Sequence, residues 1–140
     1  MRDEQAQRYA RHIQLPEFGG LGQTAIMVAA AKIALREPDP RAELIAAMFL
    51  AAAGVGTLVI TSSTAEQRAQ VAAHAPDTRV IAESDGAPTH EPANARTAEK
   101  EVVLAPRPAW WPGGAGDEVA LAFWRGGIAA TQFLVEASSK

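Results

Sequence analysis

One junction restricts the folds open to this chain more than any other stretch: Leu50-Ala-Ala-Ala-Gly-Val-Gly-Thr-Leu-Val-Ile60. The residues before it, Asp39 to Ala53, read as a helix. Asp39 suits an N-cap, Pro40 tolerates the first helical position, and beyond Glu43 the segment is apolar on nearly every side. Such a helix is largely buried. Gly54 stops it and Gly56 opens the next turn. Thr57 to Thr61 is then short and β-branched, the character of a strand. A buried helix feeding straight into a short apolar strand is the repeating unit of an α/β architecture.

The remaining segments continue that alternation. Asp3 to Arg11 reads as a short helix capped by Asp3 and broken by Pro16 and Gly19-Gly20. Thr24 to Ala31 is an apolar run of the kind found in buried parallel strands, and Lys32 to Asp39 is expected to be an irregular connection. Thr64 and Gln67 form a capping box for a helix that ends before Pro76. Arg79 to Glu83 and Glu101 to Ala105 supply the third and fourth strands. Asp85 to Ala98 is a loop, in which Asp85-Gly86 reads as turn chemistry. Pro106 to Gly116 is irregular, and Asp117 to Ser138 closes the chain as a helix. Gly19-Gly-Leu-Gly22 looks like a phosphate loop, but it precedes a strand instead of following one, so it is read as a turn. The expected fold is a reduced Rossmann-like α/β domain over residues 1–140. It would hold about four mainly parallel strands with flanking helices, joined by right-handed crossovers.

Composition removes several classes of function. With 13 basic and 16 acidic residues the net charge is −3, and no basic face stands out, so nucleic acid is not an expected partner. The absence of cysteine excludes disulfides, thiolate zinc sites and a thioester-forming cysteine. His12, His74 and His90 lie far apart with no shared ligand motif, so no metal site and no cofactor is expected. The start, Met-Arg-Asp-Glu-Gln, lacks a secretory apolar region, and no apolar run reaches the length of a membrane span. The expectation is a cytoplasmic protein without membrane contact.

Three segments, in order, resemble the ThiF/MoeB/HesA branch of the ubiquitin-activating superfamily. These enzymes adenylate the C-terminus of ubiquitin-like sulfur carriers. The first segment is Arg8-Tyr-Ala-Arg-His-Ile-Gln-Leu-Pro-Glu-Phe-Gly-Gly-Leu-Gly-Gln23, similar to the family's arginine-rich first helix, Leu-Pro turn and Gly-Gln step. The second is Leu50 to Ile60. The third, Gly126-Gly-Ile-Ala-Ala-Thr-Gln-Phe-Leu134, resembles the family's C-terminal dimer-forming helix. The resemblance implies a homodimer. It also implies that Arg11, or less directly Arg8, reaches across an interface to a partner's ATP phosphates. The plainer reading of both arginines is an ion pair.

The departures concern chemistry. Where the family has Gly-x-Gly-Gly-x-Gly after its first strand, this chain has Ala30 to Pro40, which is longer and without glycine. Side chains there occupy the space a pyrophosphate needs. Thr61 and Ser62 stand in place of the ribose-binding aspartate, and Ala105-Pro-Arg-Pro108 in place of a magnesium-binding aspartate. The family's Asn-Leu-x-Arg-Gln segment, its lysine and its Cys-x-x-Cys pairs are absent. Phosphate chemistry depends on positioning and electrostatic stabilisation, so such a site is not expected to adenylate.

The expected function is therefore that of a pseudoenzyme: a non-catalytic, dimeric scaffold or a partner subunit of an intact adenylating enzyme. Two alternatives stand beside it. One is a nucleotide-binding or adenylyltransferase-type enzyme rebuilt around the cations Lys32, Arg36 and Arg41. The other is a binding module for a ubiquitin-like or sulfur-carrier protein. Gly126, Gly127, Ala129 and Ala130 form the small helix face expected at a dimer contact, with Met48, Phe49 and Leu50 adding apolar area. Trp110 and Trp111, adjacent in a Pro/Gly context, are candidate partner anchors.

Overall fold

The structure, a computed structural model, describes residues 1–16, 18–83, 99–112 and 117–139. The Asp85 to Ala98 loop, including His90, lies outside the described residues, as do residues 113–116 of the segment around the tryptophans. The chain runs through α1 (Asp3–Arg8), α2 (Ala10–Ile13), α3 (Gly19–Val28), β1 (Ala30–Ala34), α4 (Arg41–Ala52), β2 (Thr57–Thr61), α5 (Ala65–Ala72), β3 (Arg79–Ile81), β4 (Lys100–Glu101) and α6 (Asp117–Ser138). The four strands form one parallel sheet in the order β3-β2-β1-β4. This is the expected Rossmann-like α/β arrangement of a parallel sheet flanked by helices.

The first strand is not where the sequence pattern puts it. Thr24 to Val28 belongs to helix α3, and the strand begins at Ala30. The run Thr24 to Ala31 alternates Thr24, Ile26 and Val28, which suits a strand, but tertiary contacts decide otherwise. Gly22, Gln23 and Ile26 turn together into the protein at helical spacing, while Leu21, Thr24 and Val28 stay exposed. Gln23 is fully buried and donates through Nε2 to the Ala53 carbonyl at 3.0 Å. Gly19, with φ of 58°, opens this helix, so Gly19–Gly22 is more than a turn. Lys32 to Ala34, expected in a connection, are the end of β1.

Smaller boundary shifts follow the same logic. The Asp3–Arg11 helix breaks at Tyr9, and Asp3 lies in its first turn; Arg2 caps it, its backbone N–H donating to Gln5 Oε1 at 2.9 Å. β3 ends at Ile81 and β4 at Glu101, both short of the expected Glu83 and Ala105. The Thr64–Gln67 capping box is present in full.

Alternation along the strands separates the two faces of the sheet. Ala31, Ile33 and Leu35, Leu58 and Ile60, and Val102 join one buried core with Ala46, Ala47, Leu50 and Ala51 of α4 and Ala129, Ala130 and Phe133 of α6. Alanine on both sides lets α4 and α6 lie close. An alanine side chain at Gly126 would come within 2.5 Å of the Ala42 carbonyl oxygen and 2.8 Å of Ile45 Cγ2. The small face of α6 is thus used within the chain: Gly126, Ala129 and Ala130 are buried against it, and only Gly127 faces open space, with Phe49 Cε2 3.9 Å away. The dimer expectation loses that argument. On the opposite face of the sheet, Lys32 lies between Val59 and Glu101 and forms an ion pair with Glu83.

Candidate functional site

The strand order reverses between β1 and β4, and ligands of open parallel sheets bind at the carboxyl ends of the strands beside such a reversal. Here β1 leads into the connection Leu35 to Pro40. Since Lys32, Ile33 and Ala34 belong to the strand, that connection is short rather than lengthened, and it has no glycine. Its end is already occupied by a charge. The Asp39 carboxylate accepts the backbone N–H of Arg41, first residue of α4, at 3.2 Å, and two hydrogen bonds from the Arg41 guanidinium at 2.7 and 2.6 Å. The Arg41 hydrogen bond holds the Asp39 carboxyl below its ordinary range, and Arg41 is raised, by Asp39 first and also by Glu118 of α6. Glu118 pairs in turn with Arg107 at 2.9 Å, whose other amino group donates to the Pro112 carbonyl at 2.9 Å. Two ion pairs, Asp39–Arg41 and Glu118–Arg107, thus lie near enough for Glu118 to act on Arg41 electrostatically. Each exposed pair is weak. Together they place a carboxylate on the helix N-terminus where a phosphate would bind.

The three candidate cations do not converge. Lys32 lies within β1 and is paired with Glu83. Arg41 is held by Asp39. Arg36 is exposed, with no ion pair among the described residues.

One strand further along the same edge, a hollow of about 490 Å³ opens at the ends of β2 and β3. It is lined by Ile60, Ser62, Ser63, Arg68, Ala82 and Glu83. Ser62 has φ of 55°, a left-handed conformation uncommon for a residue other than glycine. Arg68 Nη1 donates to the Ser63 carbonyl at 2.7 Å and to Ser63 Oγ at 3.0 Å, and Ser63 Oγ donates to the Ile60 carbonyl at 2.7 Å. No local sequence pattern marks Ser63 or Arg68 as part of a site, Arg68 having no signal beyond its place in a helix.

The segments that carry the family resemblance meet at the other end of the sheet, as a joint. An alanine side chain at Gly54, whose φ is 85°, would fall 2.5 Å from the Tyr9 ring, and one at Gly56 only 2.1 Å from the Met27 carbonyl oxygen. Gln23 ties α3 to the end of α4, and its oxygen lies 3.0 Å from His12 Nδ1. Because the Gln23 amide donates to Ala53, that geometry assigns the proton to His12 Nδ1. His12 stacks on Tyr9, so it is a structural histidine. Asp77, just after α5, binds the N-terminal helix: its buried carboxylate accepts from Gln5 Nε2 at 3.1 Å, from the Tyr9 hydroxyl at 3.0 Å and from Arg8. Burial alone would raise the Asp77 carboxyl, but the hydrogen bonds from Gln5, Arg8 and Tyr9 outweigh it and hold it below the ordinary value. Burial, with the Asp77 hydrogen bond, pushes the Tyr9 hydroxyl up to about 12. Arg8 is therefore engaged within its own chain. Arg11 is exposed and has no ion pair among the described residues. No local sequence pattern pointed to Asp77, because its partners lie about seventy residues away.

Apolar groups reach the surface in two places. Phe49 and Phe123 pack edge to face, centroids 5.5 Å apart, and remain 41% and 57% exposed. They adjoin a shallow 330 Å³ groove between His12, Phe49, Ala52 and Leu134. Trp110, Trp111 and Trp124 form a cluster with centroids 5.6 to 6.1 Å apart. Trp111 is half-buried and Trp110 is 70% exposed. The described residues contain no group of three or more side chains able to hold a metal, and none of their helices is long and apolar enough to cross a membrane. No protein-family model matches this chain, and no curated protein matches its sequence.

Proposed function

We propose that this protein is a non-catalytic member of the ThiF/MoeB-like lineage, a pseudoenzyme that acts as a dimeric scaffold or as a partner subunit. The observation that carries the reading is the Asp39 carboxylate on the first turn of α4, locked by Arg41 at the place where an adenylating enzyme holds ATP phosphates. A phosphate arriving there would meet a fixed negative charge and side chains in place of glycine. The family-like segments fit the same reading, because their residues serve packing: Tyr9 on Gly54, Gln23 on Ala53, Gly126 on α4. The rebuilt-enzyme alternative has less support, since Lys32 and Arg41 are both paired. Arg11, exposed on α2 and without an ion pair among the described residues, is the arginine of the first segment that is open to a partner.

The exposed Phe49–Phe123 pair is the proposed contact between copies. Light scattering is expected to give twice the 14.7 kDa chain mass at tens of micromolar protein. Phe123→Glu, a change at an exposed position, is expected to give a folded monomer, because a charge resists burial in an apolar contact. A wild-type monomer under those conditions contradicts the scaffold reading in its dimeric form.

A further inference from the structure

We infer that the hollow at the carboxyl ends of β2 and β3 binds the phosphate group of a small phosphomonoester, through Arg68 and Ser62. This site is separate from the closed end of β1 and does not depend on it. Arg8, Arg41 and Arg107 each meet a carboxylate. Among the described residues Arg68 meets none; Glu83, which shares the hollow with it, is paired with Lys32. One nitrogen of Arg68 is fixed by the Ser63 carbonyl and hydroxyl, and the Ser63 hydroxyl is itself fixed by Ile60. The guanidinium is thus oriented before any ligand arrives, and its Nε and Nη2 carry no hydrogen bond among the described residues. That open edge is the fork that grips phosphate oxygens through two donors.

Ser62 supplies the second element. Its hydroxyl also makes no hydrogen bond among the described residues, and its left-handed backbone sets it on the wall of the hollow. Leu35 N–H donates to the Thr61 carbonyl at 3.2 Å, so the next residue, Arg36, leaves β1 beside Ser62. Arg36 does not line the hollow, but among the described residues it has no ion pair and adds positive charge at this end of the sheet, which favours an anion. A tetrahedral phosphate can give two oxygens to the Arg68 fork and a third to the Ser62 hydroxyl, whereas a carboxylate engaged by the fork would have to share one of its two oxygens with Ser62. The volume of about 490 Å³ exceeds a phosphate group and leaves room for the molecule that bears it.

Amide NMR of the full chain, titrated with inorganic phosphate at constant ionic strength and in parallel with acetate, tests this. Phosphate is expected to shift Ser62, Ser63 and Arg68 saturably, with a midpoint on the order of 10 mM for so few charge-assisted bonds. Arg68→Gln should weaken that midpoint about tenfold, and Arg68→Lys should fall between. Ser62→Gly removes the hydroxyl while suiting the left-handed backbone, so it stays folded even if an Arg68 variant does not; it should weaken binding several-fold. Absence of saturable shifts, equal shifts with acetate, or an unchanged midpoint in Ser62→Gly and any folded Arg68 variant would overturn the assignment.

Discussion

Gly126→Ala is expected to lower the melting temperature by up to about 8 °C, while Gly127→Ala, one residue along the same helix, raises it by a few degrees. Both substitutions gain roughly 1 kcal/mol of helix propensity. They differ in what the new methyl group meets. At Gly126 it lies 2.5 Å from the Ala42 carbonyl oxygen and 3.0 Å from the Ala46 nitrogen, both backbone atoms of α4 that move only with the helix. Overpacking of this kind costs about 1–3 kcal/mol, and more where backbone must shift. For a domain of this size 1 kcal/mol corresponds to about 3–4 °C. At Gly127 the nearest atom is 3.9 Å away, an ordinary contact. Gly126→Val should not fold. Equal melting temperatures for the two alanine variants would show that α4 and α6 are not packed this closely.

The second large effect is expected at Asp77. Asp77→Ala removes the acceptor of Gln5, Arg8 and Tyr9 and leaves the Tyr9 hydroxyl buried without a partner. The loss is expected to be about 2–3 kcal/mol, with the N-terminal helix α1 released before the sheet unfolds. The pH dependence has a definite sign. The folded carboxyl lies below its unfolded value of about 3.9, so its stabilisation is fully present above that pH and is lost as pH falls through the depressed folded value. Asp77→Asn should therefore show a shallower acid limb than wild type when melting is followed from neutral pH to pH ~3. Parallel acid limbs for the two proteins would place the acid-sensitive group elsewhere.

These two sites show what the sequence could and could not reveal. The helix Asp117–Ser138 is long and marked by its residues, and the Thr64–Gln67 box is a local signature, so both are legible directly. The parallel direction of the strands follows from the alternation of elements, whereas their order does not. The first strand is misplaced because Thr24 to Ala34 is one apolar tract in which helix and strand patterns coexist. Burial of Gln23 against Ala53 decides between them, and that contact spans thirty residues. That no glycine lies between β1 and α4 is visible in the sequence. That the Asp39 carboxylate binds the first residue of α4 is not, because it depends on how the Arg41 side chain folds back. Gly126 and Gly127 look equivalent in sequence, and only the position of α4 separates them.

On the function proposed above, the carboxyl end of β1 accepts no nucleotide phosphate. Isothermal titration of the protein with ATP·Mg up to about 1 mM, paired with thermal melting in the same buffer, tests it most directly. No saturable heat and an unchanged melting temperature are expected, because a ligand that binds only the native state must stabilise it. Saturable heat accompanied by a clear ATP-dependent rise in melting temperature, abolished by Arg41→Ala, would contradict it and return the site to the nucleotide-binding enzymes.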